Sequence, residues 1–260
     1  MIDSISDKEI ELARIVLGDH TVKPLSHEST LESLLWCIAS QALGWEAASS
    51  FIYCLRDASH SGDEQARFKV SQRKTLSDKD VVFRASQKAR LRFAKGRRFD
   101  SAIDYFISQE GAWWERVISS GQAERARYVD EVKWLGEKTF SFWHICLGGT
   151  HLMALDVHVM RGLRELDIDI DPTYINSVAR STDAQKVRRT PPRTDYWRIE
   201  SEARELFAKD KRFAIPYGTN MALADAVLWW RGAHRGEPAQ SQLFGDSTSW
   251  KMPYSCGLGC

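Results

Sequence analysis

Two short segments of the chain combine residue types that can do covalent chemistry. The first, residues 132–139, turns at Gly136 and places Lys138 at the start of an apolar helix. The second, residues 155–159, places Asp156 at the start of the next helix, eighteen positions after the lysine. A lysine amine can form an imine with a sugar, and a carboxylate can stabilise the positive charge that develops on the sugar ring. Removal of a base from DNA is one reaction class that needs this pair.

The turn before Lys138 is expected to bind a phosphate. A helix that ends near Val132 has to turn quickly if another starts near Glu137, and Gly136 can take a positive φ that lets another backbone come close. The amides at the start of the second helix then form an anion pocket, which a DNA phosphate can fill without any base contact. Lys138 would face the strand held there, and its amine, once desolvated, would attack C1′. Loss of the 3′ phosphate by β-elimination would then cut the strand.

Asp156 is expected to act as the N-cap of the helix that follows it. Bonds from backbone N–H groups favour the ionised form of a capping carboxylate. Taken singly, each residue also has a structural interpretation: Asp156 as a simple cap, Lys138 as a first-turn surface lysine and His158 as a structural histidine. The two segments together, at this spacing, favour a shared chemical role.

The length and composition of the chain suit one large or two small domains with a substantial core, built from 260 residues. Apolar residues make up 43%, and no run approaches the roughly 18 residues that span a bilayer, so we expect no membrane contact. The first residues lack the basic and apolar regions of a signal peptide. The five cysteines fit no zinc spacing, and they favour reduced thiols in a cytoplasmic protein without a bound metal.

Basic residues are concentrated between Arg84 and Arg98, although the net charge of the chain is only +1. This stretch contains seven basic residues and no acidic one: Arg84, Lys88, Arg90, Arg92, Lys95, Arg97 and Arg98. Such a patch can meet DNA phosphates, and it can equally be a solvated helix face. The sequence alone leaves both interpretations open.

Apolar residues recur at helical spacing through most of the chain, and alternation of period two is absent. We therefore predict an all-α fold. The predicted helices span residues 7–17, 26–43, 45–55, 78–92, 98–108, 111–119, 122–132, 156–166, 172–180, 195–209 and 219–230, with one more that carries Lys138 and stops at Gly148. Residues 233–260 are poor in apolar side chains and are expected to form an extension.

The two segments resemble the signature of the helix-hairpin-helix (HhH-GPD) DNA glycosylases. That signature reads roughly apolar-x-Gly-apolar-Gly-x-Lys-Thr-x-Ser, followed by apolar-Asp-x-His. The matching positions are Val132, Leu135, Gly136, Lys138, Thr139, Ser141, Leu155, Asp156 and His158. Trp134 stands where the family usually has its first hairpin glycine. Flanking segments, over roughly residues 28–232, are most similar to the branch of 8-oxoguanine DNA glycosylase/AP lyases first known from archaea and thermophiles.

The resemblance implies an all-α HhH-GPD fold with two helical subdomains and the active site in the cleft between them. The expected barrel subdomain covers residues 28–166 and includes the helix-hairpin-helix at about 122–148. The expected second subdomain combines residues 1–27 with residues 167–232. The C-terminal extension, 233–260, continues about thirty residues beyond Trp230, whereas chains of this branch end soon after the last helix.

The resemblance also assigns roles to residues. Lys138 would be the Schiff-base nucleophile and Asp156 the catalytic carboxylate. The expected DNA contacts are Gln41, which would help to fill the gap left by an extruded nucleotide, together with Lys88, Arg90, Lys133, Trp134, Gly136 and His158. The candidates for stacking on the extruded base are Trp143, Trp197, Trp229 and Trp230, although core packing is an alternative for each of them. The hairpin can bind an alkali cation in this family, and the absence of the four-cysteine loop predicts no iron–sulfur cluster.

These features predict a bifunctional DNA glycosylase and AP lyase of base excision repair. It would act as a monomer on double-stranded DNA in the cytoplasm, at the nucleoid, and would flip out and remove an oxidised purine, 8-oxoguanine first of all. Three alternatives stay open from the sequence. They are a glycosylase for another modified base, such as one in foreign DNA, a helix-hairpin-helix protein that binds DNA without catalysis, and an all-helical interaction protein with no role on DNA.

Overall fold

A computed structural model describes the chain over residues 2–20, 25–43, 45–91, 97–176, 178–179, 186–187 and 190–233. Helices dominate these residues, so the predicted all-α class is confirmed. None of the helices in these ranges is both long enough and apolar enough to cross a membrane.

The chain divides into two compact units after Gly18 and after Gly149. We call residues 19–149 the hairpin unit. Its helices are α2 (His27–Leu43), α3 (Trp45–Ser59), α4 (Arg73–Ser77), α5 (Lys79–Lys88), α6 (Asp100–Ile107), α7 (Trp113–Ile118), α8 (Gln122–Glu131) and α9 (Glu137–Cys146), with a 3₁₀ turn at Ala66–Phe68.

We call residues 2–18 together with the described residues of 150–233 the terminal unit. Its helices are α1 (Asp7–His20, of which the last two residues fall beyond the division), α10 (Val157–Glu165), α11 (Pro172–Ile175), α12 (Arg193–Phe207) and α13 (Met221–Ala233). Two antiparallel strand pairs complete it, β1 (Val178–Ala179) with β2 (Lys186–Val187) and β3 (Ala214–Ile215) with β4 (Gly218–Thr219). The 3₁₀ turns of this unit are Ile2–Ser4 and Lys211–Phe213.

The core of the hairpin unit is aromatic and centres on α9, which packs against α2, α7 and α8. Trp143 of α9 is fully buried and lies against the rings of Phe106, Trp113 and Phe140. Large rings bury much apolar surface each, so this cluster fixes α9 firmly. The helix that carries Lys138 is therefore a rigid element of its unit.

The terminal unit is built on the packing of α10 against α13. The two helices touch closely where Gly232 meets the first turn of α10. A Cβ atom at Gly232 would lie 1.9 Å from the carbonyl oxygen of His158, so only glycine fits there. This contact holds the start of α10, and with it Asp156, against the end of α13.

The structure differs from the predicted elements where local backbone geometry ends a helix early. The helix predicted over residues 78–92 stops at Lys88, because Arg90 takes a φ of 56° and the N–H of Leu91 donates back to the carbonyl of Ser86. The helix predicted over residues 172–180 stops at Ile175, and residues 178–179 form a strand instead. Strands of two residues are too short to produce the alternation that identifies a strand from sequence.

The division after Gly149 lies before the boundary that we predicted after residue 166, and the helix α10 makes the difference. Its apolar side chains, Val159, Met160 and Leu163, are buried in the terminal unit, where α10 packs on α13. The predicted extension, residues 233–260, lies outside the described residues except for Ala233, the last residue of α13.

Candidate active site

The turn between α8 and α9, residues 132–136, is anchored by two buried side chains. Val132 and Leu135 are almost completely buried, and the N–H of Leu135 donates to the carbonyl of Val132 at 3.2 Å. Lys133 and Trp134, which lie between them, are exposed. The turn therefore presents its middle residues to solvent while its ends are held in the core.

The positive φ of this turn falls on Trp134 and not on Gly136. Trp134 has a φ of 69°, whereas Gly136 has a φ of −90° and is the N-cap of α9. The positive φ that we expected at Gly136 is therefore absent there, and it falls instead on the third residue of the turn that the bond from Leu135 to Val132 closes, as in turns of type II. For a residue with a Cβ atom, this conformation costs about 1–2 kcal/mol.

Gly136 nevertheless keeps the surface at the start of α9 open. A Cβ atom built on it would meet no atom within 4 Å, so neither its backbone angles nor its neighbours require glycine. It also has no side chain with which to cap the helix. The backbone N–H groups of Lys138 and Thr139 accordingly have no acceptor among the described residues, which leaves them for an anion.

Lys138 is the second residue of α9, and its side chain is exposed. Within the described residues, its amine forms neither an ion pair nor a hydrogen bond. The protein alone does not desolvate this amine, so water has to be excluded from it by whatever binds at the turn.

The residues around Lys138 are held, in contrast, by buried polar contacts. Arg125 of α8 is completely buried, its Nε lies 2.5 Å from Glu137 Oε2, and its Nη1 donates to Ser141 Oγ at 2.8 Å. The side-chain amide of Gln41 donates to the hydroxyl of Thr139. These contacts fix the first turn of α9, and they bring Gln41, a predicted DNA contact, to the helix of Lys138.

Asp156 lies in the terminal unit and caps α10, as the sequence predicts. Its Oδ1 accepts the N–H groups of His158 and Val159 at 2.8 and 2.9 Å. Its Oδ2 accepts no hydrogen bond from the described residues, and the side chain is half-buried. One oxygen thus orients the carboxylate while the other is left for a ligand.

The extended segment before Asp156, residues 152–155, is held by buried side chains from α12 and α13. The N–H of Met153 donates to Glu200 Oε1 at 2.8 Å, and the N–H of Ala154 donates to Asp225 Oδ2 at 2.7 Å. The hydroxyl of Tyr196 accepts the N–H of Leu155 at 2.9 Å and donates to the carbonyl of Met153 at 2.8 Å. We call Tyr196, Glu200 and Asp225 the sling, since their side-chain oxygens accept hydrogen bonds from three successive backbone amides.

Comparison with solved structures identifies a protein of the same architecture. The chain is similar to the Methanocaldococcus jannaschii 8-oxoguanine glycosylase/lyase, whose crystal structure was determined with a 15mer DNA containing 8-oxoguanine. The TM-score is 0.54 at 16% sequence identity, and the alignment covers 86% of this chain and 94% of that one. The two proteins share a fold. No protein-family model matches the chain, and no curated protein matches its sequence.

The basic stretch from Arg84 to Arg98 is partly neutralised in the structure. Lys88 pairs with Asp57 at 3.0 Å, and this contact raises the pKa of the lysine. Arg97 lies 2.5 Å from Asp80, while Arg90 is exposed. Two further basic residues of the stretch lie outside the described residues, namely Arg92 and Lys95. Lys88 and Arg90, the expected DNA contacts of this stretch, are therefore both exposed, but Asp57 would compete with a DNA phosphate for Lys88.

The four tryptophans predicted to stack on a base lie in different surroundings. Trp143 is fully buried, and its indole N–H donates to Ser33 Oγ at 2.9 Å, so it has no face left for a base and belongs to the core. Trp229 is half-buried against the ring of His158, with 5.5 Å between the ring centroids. Trp197 and Trp230 are half-buried.

His158 lies beside Asp156 on the first turn of α10. Its Nδ1 is buried and has no hydrogen-bond partner among the described residues, and its ring packs against Trp229. In the part of the chain that the structure describes, no group of three or more His, Cys, Asp or Glu side chains is arranged to hold a metal ion.

Sequence reasoning missed Arg125 and the sling. One signal for Asp225 is present in the sequence, since it is the only charged residue in the apolar run from Met221 to Trp230. A charge inside such a run indicates a buried, hydrogen-bonded group. Arg125 has no comparable signal, because it lies in a helix that is rich in charged residues.

Proposed function

We propose that this protein is a bifunctional DNA glycosylase and AP lyase of base excision repair, with Lys138 as the nucleophile and Asp156 as the catalytic carboxylate. The observation that carries the proposal is the state of Lys138, an exposed amine with no partner among the described residues, at the uncapped start of a rigid helix. The fold, which the chain shares with a glycosylase/lyase, supports the same reaction class.

The proposed reaction starts when the DNA phosphate binds the amides at the start of α9 and the damaged nucleotide leaves the helix stack. The amine of Lys138, in its neutral form, attacks C1′ while the bond from C1′ to the base breaks, and the base departs with a proton. The ionised carboxylate of Asp156 stabilises the positive charge that the sugar ring develops in this step. Bound DNA excludes water from the amine, which the chain alone leaves exposed.

The second half of the reaction cuts the strand. The sugar ring opens, O4′ takes a proton, and C1′ becomes the carbon of a protonated imine with Lys138. A proton then leaves C2′, the electrons form a C2′–C3′ double bond, and the 3′ phosphate departs. Water hydrolyses the imine and restores the lysine.

We propose 8-oxoguanine as the substrate, on the strength of the sequence resemblance. Another modified base would use the same two residues, because neither of them touches the base in the proposed chemistry. A protein that only binds DNA has no use for a free amine and a free carboxylate oxygen at the two helix starts.

The proposed partner is double-stranded DNA bound by one copy of the chain in the cytoplasm, with no resident cofactor and no iron–sulfur cluster. The turn before α9 fits an alkali cation, since the carbonyls of Lys133, Trp134 and Leu135 accept no hydrogen bond from the described residues. Carbonyl oxygens are the ligands that such ions take in proteins. The cation would hold a phosphate to the turn, and the chemical steps are assigned to protein side chains.

The proposal is tested by trapping the imine. Duplexes with 8-oxoguanine, with other modified bases or with an abasic site are incubated with the protein and borohydride. We expect a covalent protein–DNA product with the abasic site and with the substrate base, and none with Lys138→Gln. Lys209→Gln is the matched control, because it removes an exposed lysine of the terminal unit that has no role in the proposed reaction. A trapped product that is equally abundant with Lys138→Gln, or no product on any duplex, would refute the lyase assignment.

A further inference from the structure

An open cavity lies beside the turn that precedes α9, within the hairpin unit. Its volume is about 880 Å³. The lining residues come from α5, the segment before α6, α6 itself, the end of α8 and the turn, and they are Phe83, Arg97, Asp100, Ser101, Asp104, Tyr105, Glu131, Lys133 and Trp134. Neither Lys138 nor Thr139 belongs to this lining, so the cavity is separate from the amides that are proposed to hold the phosphate.

Trp134, on the wall of this cavity, is not explained by folding. Its side chain is 56% exposed, and its backbone is in the left-handed region that glycine occupies without strain. The ring packs against the guanidinium of Arg98, which lies 4.7 Å from the ring centroid. A strained and exposed aromatic residue points to a ligand, because glycine at this position would give a more stable fold.

The charges around the cavity disfavour a phosphate inside it. Two cations of the lining, Arg97 and Lys133, face three carboxylates, Asp100, Asp104 and Glu131. Two cations neighbour the cavity, Lys79 beside Asp104 and Arg98 beside Trp134, and one anion, Asp80, pairs with Arg97, so that four charges of each sign surround it. A phosphate finds no net positive field there, whereas a neutral flat group with N–H donors finds aromatic surface and carboxylate acceptors.

A nucleobase is such a group. We propose that this cavity binds an unpaired nucleobase, stacked on Trp134, while the start of α9 holds a phosphate of the same strand. The inference rests on the proposed function, since it assumes that DNA lies at this turn. Bases of an intact duplex are paired and stacked and cannot enter, so the chain prefers DNA with unpaired bases beside the bound phosphate. Stacking tolerates any base, and the carboxylates favour those with amino groups, since they accept hydrogen bonds from amino N–H groups.

The test is a comparison of affinities for undamaged DNA. A labelled duplex and the same duplex with a gap of several nucleotides are titrated with wild type, Trp134→Gly and Trp134→Phe. We expect wild type to bind the gapped DNA about 5- to 100-fold more tightly than the intact duplex, which is the range that stacking on one aromatic side chain gives. Trp134→Gly brings this ratio close to one, and Trp134→Phe retains most of it.

Tyr217→Ala is the matched control, because Tyr217 is an exposed aromatic residue on the turn between β3 and β4, in the other unit. Its removal leaves the ratio unchanged. Thermal melting checks that each variant folds, and glycine relieves the strain at position 134. A ratio near one in wild type, or an equal loss on both DNAs with Trp134→Gly, would overturn the base-binding cavity.

The outcomes separate this inference from the proposed function. A clear preference for gapped DNA in a protein that never traps an imine would leave the cavity standing and refute the lyase. Trapping by a protein without that preference would do the reverse. Failure to bind any DNA would refute both.

Discussion

The helix starts at Lys138 and Asp156 are opposite solutions to the same problem of unpaired backbone amides. In α9 the N-cap is Gly136, which has no side chain, and the amides of Lys138 and Thr139 have no acceptor among the described residues. In α10 the N-cap is Asp156 itself, and its Oδ1 accepts the amides of the second and third helical residues, His158 and Val159. One start is open to a ligand, and the other is closed by the residue that is proposed to act.

The difference between the two helix starts shows which of the two side chains is held in place before a ligand binds. Asp156 is fixed before any ligand arrives, since the sling holds the segment in front of it and the cap holds its carboxylate. A carboxylate held in place stabilises a developing charge without reorganisation. Lys138 is placed by a rigid helix, but its amine is left in solvent, so the proposed reaction depends on the bound strand to exclude water from it.

The largest effect on activity is expected from Asp156→Asn. Comparing it with Asp156→Ala separates the charge of Asp156 from its role as the N-cap of α10. Asparagine caps a helix about as well as aspartate but carries no charge. We expect Asp156→Asn to lower the rate of base release by about 10²–10³, as loss of a transition-state electrostatic contact does. Its melting temperature should stay close to that of wild type.

Asp156→Ala should lose the same activity and also about 1 kcal/mol of stability, because the cap is gone. Single-turnover kinetics and thermal melts separate the two effects. An Asp156→Asn protein that is fully active would show that the closed start of α10 serves only the fold.

The next largest effect is expected from Tyr196→Phe, with Tyr174→Phe as its control. Both changes remove one hydroxyl from a buried tyrosine of the terminal unit, and the hydroxyl of Tyr174 donates to Asp195, away from the segment before Asp156. Each should cost about 1–3 kcal/mol of stability.

Only Tyr196→Phe should also lower kcat, by about ten- to a hundredfold with KM nearly unchanged, because a displaced catalytic group costs rate rather than binding. Equal kcat values for the two variants would mean that the sling supports the fold and does not position Asp156.

The cap of α10 and the sling also show how much of the site can be predicted from the sequence. The cap of α10 joins Asp156 to residues two and three positions away, and a local pattern of this kind is predictable. In the sling, Glu200 binds Met153, which is 47 positions away, and Asp225 binds Ala154, which is 71 positions away. No local sequence pattern predicts contacts over such separations.

The turn between α8 and α9 shows a second limit of prediction from local sequence patterns. Its presence was predictable, but the position of its positive φ was not, because glycine is the residue that favours a positive φ and the structure has it at Trp134, two positions earlier. Trp143, one of four candidates for stacking, could not be assigned to the core from sequence for a related reason, since its burial depends on rings of α6, α7 and α9 that meet only in the fold.

A smaller effect is expected from Gly136→Ala. The backbone angles of Gly136 suit alanine, and the added methyl group would meet no atom within 4 Å. Stability should therefore be unchanged or slightly raised, while affinity for duplex DNA falls about tenfold if a phosphate comes close to this backbone. Isothermal titration together with thermal melting measures both quantities. Unchanged affinity would mean that the open start of α9 does not face the strand.

The smallest effect concerns the strain stored in the same turn. Trp134→Gly should raise the free energy of unfolding by roughly 0.5–1 kcal/mol, because relief of a positive φ exceeds the backbone entropy that glycine adds. Urea denaturation measures it. A loss of stability would show that the indole packs more tightly than its exposure indicates.

The contacts around Lys138 have a consequence for how such a protein would evolve. The fold depends on Arg125, Glu137 and Ser141, and on the bond between Gln41 and Thr139, but on nothing at position 138. A descendant that gave up the chemistry would be free to lose its lysine at once, with no penalty in folding, and would keep the residues on either side. If Lys138 is the nucleophile, lineages of this fold that lose the chemistry should therefore diverge first at that single position.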